Sequence, residues 1–143
     1  MRPDYEAFLA SYVDAYNRSL GDTVDTDGIR AHFADCFVGS GPAGANCGQD
    51  GDTFADALRQ GYAFSKAIGT KRMSVRGLTV TEIEPGHALV RVDYHAGYEK
   101  DGQPLGIDFD MSYRCKRWRA RRPLRLHYRG RDGTLPRPRP GAQ

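Results

Sequence analysis

The amino-acid sequence predicts an α+β fold in which three N-terminal helices pack on one face of a curved antiparallel sheet. Three observations carry that reading. Apolar residues recur at helical spacing through residues 5–69. Beyond Gly69 the period changes to two and holds as far as Tyr113. Two turn pairs, Pro85-Gly86 and Asp101-Gly102, divide that stretch into three strands, so neighbours pair antiparallel as a meander. Helices first and hairpin strands after is the order of a layered α+β domain. A length of 143 residues suits one such domain with one core.

In "PDYEAFLASYVDAYNRSLG", Phe8, Leu9, Tyr12, Val13, Tyr16 and Leu20 make one apolar helical stripe, stopped by Gly21. Pro3 and Asp4 suit the first turn, where a missing N–H costs nothing and a negative charge meets the positive helix end. "TDGIRAHFADCFV" predicts a short second helix running into a strand, with Ile29, His32 and Phe33 near the turn. "GSGPAGANCGQDGD" reads as a glycine-rich loop. Asp52 or Thr53 then caps a third helix, with Phe54, Leu58, Tyr62 and Phe64 on its face and Gly69 at its end. In the second strand Val90, Val92, Tyr94, Ala96 and Tyr98 share a face, opposite Arg91, Asp93, His95 and Gly97. In the third, Ile107, Phe109, Met111 and Tyr113 oppose Asp108, Asp110 and Ser112. A half-covered curved sheet of this kind encloses a cavity against its helices, where small ligands usually bind.

Charge is unevenly placed. Residues 114–143 hold ten Arg, one Lys and a single acid, Asp132, for +10, so against a whole-chain +3 the first 113 residues carry −7. No charged-then-apolar leader follows Met1 and no apolar run is long enough to span a membrane, which points to a cytoplasmic chain. Cys36, Cys47 and Cys115 make an odd count without C-x-x-C spacing. A Cys36–Cys47 disulfide is compatible with the sequence, and a reducing compartment favours free thiols.

Few motifs point to chemistry. Gly39-Ser40-Gly41-Pro42-Ala43-Gly44 spells G-x-G-x-x-G, but a dinucleotide site needs a strand before it and a helix opening inside it. Here Pro42 interrupts it and no helix starts until near Thr53, so it reads as a loop and no cofactor is implied. None of His32, His87, His95 and His127 has ligand-pair spacing, so no metal is expected. Asp108 and Asp110 share a strand face, where paired carboxylates can split their pKa values and act as acid and base. Asp110 is therefore an acid/base candidate, against the commoner reading of a solvated strand face beside Arg91, and His95 is a second one provided that its strand face is the concave one. Tyr12, Tyr16, Tyr62, Tyr94 and Tyr98 fall on inward faces, where a phenol needs a partner from protein, water or ligand. Tyr12, Tyr16 and Tyr62 are the candidates for ligand contact.

The order helix, helix, strand, loop, helix, long meander resembles the nuclear-transport-factor-2-like superfamily, the cone-shaped fold of ketosteroid isomerase, scytalone dehydratase and the small polyketide cyclases. The stretches "YVDAYNRSLGDTVDTDGIRAHFADCFVGSGPAGANCGQDGDTF" and "GYAFSKAIGT" look like a bacterial branch of it, over residues 5–113. The resemblance implies a small-molecule pocket, a homodimer through the sheet face, and isomerase, dehydratase or hydrolase chemistry or a non-catalytic ligand-sensing module. It places Tyr12 where the isomerase has an oxyanion-hole tyrosine. It places Gly41 where the isomerase has its aspartate base, so that base is missing.

The resemblance also bears on the basic end. Family members close with a final strand and a stretch similar to GDEMALYR, then His-Gly-Leu. Read one base out of step, the codons from Arg129 to Gly141 permit that text, and those of Pro123 to Arg129 permit an apolar strand. A frame shift between Tyr113 and Pro123 is therefore expected, with a genuine polybasic tail gripping nucleic acid as the rival. As written, residues 1–130 form the domain, Leu124, Leu126 and Tyr128 alternate as a strand pairing with 105–113, and residues 131–143 form an extended basic tail.

Overall fold

The computed structural model describes residues 4–41, 44–117 and 124–130. Helix α1 spans Tyr5–Ser19 and begins at Asp4, whose carboxylate accepts from the Ala7 N–H at 3.0 Å. It buries Tyr5, Leu9, Tyr12 and Val13 along the predicted stripe, with Phe8 and Tyr16 packed at its margins. The short α2, Thr26–Arg30, is capped by Asp25 and seats Ile29 in the core. Ser19 ties the two helices together: its hydroxyl donates to the Ala15 carbonyl and accepts from the Asp25 N–H.

The glycine-rich stretch departs from expectation. It folds as a hairpin, β1 (Phe33–Gly41) and β2 (Gly44–Gln49), with Gly41 opposite Gly44. Phe37 supplies the apolar contact, its ring lying against Gly48 where a side chain would clash. Pro42 and Ala43, inside the G-x-G-x-x-G match, lie outside the described residues. Helix α3 spans Asp52–Ala67 and starts from Gly51 without a side-chain cap, so neither Asp52 nor Thr53 caps it. Its core face holds Phe54, Ala55, Leu58 and Tyr62. Phe64 is 66% exposed, because two residues past Tyr62 is most of half a turn away from that face.

The predicted meander is β3 (Thr70–Glu84), β4 (His87–Lys100) and β5 (Gln103–Lys116). Asp101 and Gly102 both have positive φ, 53° and 77°, as the two-residue turn between β4 and β5 requires. Tyr94 faces Phe109 across the β4–β5 pair and Val90 faces Tyr113, so both apolar faces fall on the same, concave side. The described strands form one sheet in the order β2-β1-β6-β5-β4-β3.

Strand β6, Arg125–Gly130, is central: parallel to β1 and antiparallel to β5. The predicted strand is thus present, and it pairs with Ser112–Lys116, overlapping the expected 105–113 only at Ser112 and Tyr113. Its alternation also breaks. Cys115 pairs with Leu126 and Arg114 with Tyr128, leaving His127 as an extra residue. Such a bulge shifts the inside–outside phase by one. Leu126 faces the core beside Cys115, Tyr128 turns to the convex side beside Arg114, and Arg129 turns inward beside Tyr113. Residues 131–143, expected as an extended basic tail, lie outside the described residues.

Candidate functional site

A cavity of about 300 Å³ lies between α1 and the concave sheet, lined by Tyr12, Tyr16, Met73, Tyr94, Tyr98, Ile107, Phe109, Met111, Tyr113 and Arg129. Alternation along β4 and β5 aims every second side chain into it. Helix α1 is fixed across the sheet by Asn17. Strand β3 is an edge strand, and the Asn17 side-chain amide donates to the Met73 carbonyl and accepts from the Met73 N–H, both at 2.8 Å. One side chain thus replaces a missing strand neighbour and sets the height of Tyr12 and Tyr16 above the sheet.

The hydroxyls of Tyr94 and Tyr113 lie 2.7 Å apart, so one donates to the other and the second O–H proton remains available. The Tyr12 ring packs edge-on against Tyr113 and Phe33. Burial holds the Tyr94 and Tyr113 phenols well above the ordinary tyrosine range, with the Arg129 charge pulling slightly the other way. Burial raises Tyr16 as well, against a hydrogen bond with Ser65. These phenols stay protonated at neutral pH: hydrogen-bond donors and poor bases.

Arg129 is the permanent charge of the site. The tyrosine oxygens around it, Tyr12 first, raise its pKa above the usual arginine range. Its side chain is exposed, and it borders the cavity. Among the described residues it makes no hydrogen bond and no ion pair. The residues beside it explain why: Tyr113 on β5 is a neutral phenol, and Gly39 on β1 has no side chain.

Of the sequence candidates, Tyr12 and Tyr16 line the cavity. Tyr62 is buried behind it, its ring 5.2 Å from that of Tyr16. Asp110 and His95 do not reach the cavity. Both are on the convex face, where Arg91 pairs with Asp110 at 2.8 Å and His95 Nδ1 meets Asp108 at 2.7 Å, with Arg76 on the other Asp108 oxygen. The alternation that turns Tyr94 and Phe109 inward turns them outward. Gly41 sits at the hairpin end of β1. The sequence reading missed Arg129, because a bulge at His127 is invisible to a strict period of two. Among the described residues, no group of three or more His, Cys, Asp or Glu stands together as a metal site. Cys36 and Cys47 are exposed free thiols on the convex side, and Cys115 is a buried one.

A family model described as "NTF2-like protein (DUF6841)" matches residues 3–122. No curated protein matches the chain. Among solved structures it is similar to a ketosteroid isomerase-like protein from Erwinia carotovora atroseptica, at 18% identity over 87% of this chain and 89% of that one, with a TM-score of 0.62. An NTF2-like protein with a cystatin-like fold from Novosphingobium aromaticivorans is 14% identical over 87% and 75%, with a TM-score of 0.66. A protein of unknown function from Mycobacterium tuberculosis is 15% identical over 96% and 72%, with a TM-score of 0.67. At these identities the likeness shows the fold alone.

Proposed function

The chain belongs to the NTF2-like protein family DUF6841, and on that premise we propose that it binds a small organic molecule in the cavity between α1 and the concave sheet. One observation carries the reading: Tyr12, the Tyr94–Tyr113 hydroxyl pair and Arg129 converge on one cavity otherwise lined by apolar and aromatic side chains. That is the make-up of a ligand site, a largely apolar wall with a few polar groups that orient the guest. Binding is favoured over proton abstraction, because the described cavity lining includes no carboxylate and no imidazole. An isomerase, dehydratase or hydrolase step would need its base from substrate or water. The test is an amide-resolved NMR screen of small aromatic fragments, repeated on Tyr16→Trp, which fills the cavity. Binding that moves amides around Tyr12 and Tyr94 and is lost in Tyr16→Trp supports the reading. Fragment binding indifferent to that substitution contradicts it.

The convex face of β3–β5 supports a homodimer. It carries an exposed Leu89 beside the intrachain pairs Arg91–Asp110 and Arg76–Asp108, an apolar position that a second copy could cover. Sedimentation of the wild type and of Leu89→Lys decides this: a dimer converted to monomer is the expected result. A cytoplasmic location is in keeping with the free cysteines, and no described helix is long and apolar enough to cross a membrane.

The out-of-step reading of the basic end also belongs here. The family match stops at residue 122, yet β6 starts at Arg125 and fills the middle of the sheet. A family sharing this fold needs that strand, so a departure of the sequence just before it supports a frame shift. Intact mass from native cells decides, and decides with it whether the native chain has arginine at position 129. A mass matching the printed end would instead bring salt-dependent nucleic-acid binding forward.

A further inference from the structure

Resting on the cavity reading and on arginine at position 129, which the frame-shift reading would replace, we infer that the guest is a compact organic monocarboxylate, its carboxylate held by Arg129 and Tyr12 and its apolar body lying along Ile107, Phe109 and Met111. An unengaged cation at the cavity carries the inference. A solvent-accessible guanidinium with no acid beside it is open to an anionic guest, which gains charge-assisted hydrogen bonds there. Arg129 has none: no described residue gives it an ion pair, the described cavity lining holds no Asp or Glu, and its strand neighbours are a phenol and a glycine. The matching anion is left to the guest.

The donor set selects the anion. A guanidinium offers two parallel N–H groups with the spacing of a carboxylate, and such bidentate pairs are stronger than neutral hydrogen bonds. The Tyr12 hydroxyl, engaged by no hydrogen bond among the described residues, and the spare proton of the Tyr94–Tyr113 pair supply further neutral donors. One fixed positive charge with neutral donors matches one negative charge. A phosphate monoester, near two charges at neutral pH, would leave a charge unmatched among aromatic rings. The volume, about 300 Å³, lies at the small end of ligand pockets and limits the guest to a compact body. A second, outer groove of about 500 Å³ shares Tyr98 and Ile107 with the cavity and is also lined by Glu99, Lys100 and Asp101.

Calorimetric titration of the full chain with benzoate and with benzamide, its neutral counterpart, tests the inference. Benzoate is expected to bind at least tenfold more tightly than benzamide to the wild type. Arg129→Met should erase that preference, keep benzamide affinity and leave the thermal midpoint nearly unchanged, because it breaks no hydrogen bond or ion pair among the described residues. Arg129→Lys keeps the charge without the fork and should retain part of the preference, which also serves if the methionine variant fails to fold. Equal affinity for the two compounds in the wild type, or a preference that survives in Arg129→Met, overturns the inference while the cavity reading stands. If neither compound nor any fragment of the NMR screen moves cavity amides, both fall together.

Discussion

Replacing Tyr113 with Phe takes one hydroxyl out of a pair whose members have almost no solvent exposure, 0% for Tyr94 and 1% for Tyr113. The 2.7 Å contact is a short neutral O–H···O bond. A bond of this kind contributes a net ~0.5–1.5 kcal/mol, and stranding a buried partner costs ~1–3 kcal/mol. Tyr94 and Tyr113 both border the cavity, so water relieves part of the stranding and the single substitution should cost about 1–2 kcal/mol. Tyr94→Phe should cost about the same. The double substitution strands nothing, so it should cost little more than either single one, which is a coupling of about 1 kcal/mol. Urea denaturation followed by circular dichroism measures all four corners, and thermal midpoints should fall by about 4 °C per kcal/mol in a chain of this length. Additive single effects would refute the hydroxyl pair and with it the spare donor assigned to the guest.

Four further outcomes are expected. Asn17→Ala should cost about 1–3 kcal/mol by orphaning the Met73 N–H and carbonyl, and Asn17→Asp should cost more, since it sets a carboxylate oxygen against that carbonyl. Denaturation midpoints read both. Leu126→Ala, at 0% exposure in the central strand, should cost about 2–5 kcal/mol, and a negligible loss would show that residues 125–130 do not form β6. Burial lowers the His32 and His127 pKa values, so the unfolded chain binds more protons than the folded one as pH drops below the ordinary histidine value. Stability should therefore fall from about pH 6.5 downward, and combined His32→Gln and His127→Gln should flatten that limb in stability measured against pH. Burial pushes the Cys115 thiol up to about 12, so stability is intact below the thiol's unfolded pKa of about 9 and declines from there as pH rises toward 12. Cys115→Val should delay that decline.

The helical stripe of α1, the change of period at Gly69 and the Asp101-Gly102 turn were legible because each is a local pattern with one dominant cause: amphipathic burial, strand alternation, and a backbone that must take positive φ. The inward tyrosines follow from the same alternation. What stayed hidden depends on neighbours distant in sequence. The β1–β2 hairpin has weak intrinsic strand propensity, being rich in glycine, and forms because β6 pairs along β1 and Phe37 covers Gly48. Arg129 reaches the cavity only through the bulge opposite Arg114 and Cys115, which is a property of pairing and not of β6 alone. For Asp110 and His95 the strand face was read correctly, but which face looks at the helices is settled by the packing of α1 through Asn17.

The most direct test of the account is a crystal structure of the chain grown with benzoate. The account predicts the carboxylate within hydrogen-bonding distance of the Arg129 guanidinium and the Tyr12 hydroxyl, with the ring against Phe109 and Met111. A ring in the cavity with its carboxylate turned toward Lys100 in the outer groove, or benzoate bound only outside the cavity, would contradict it.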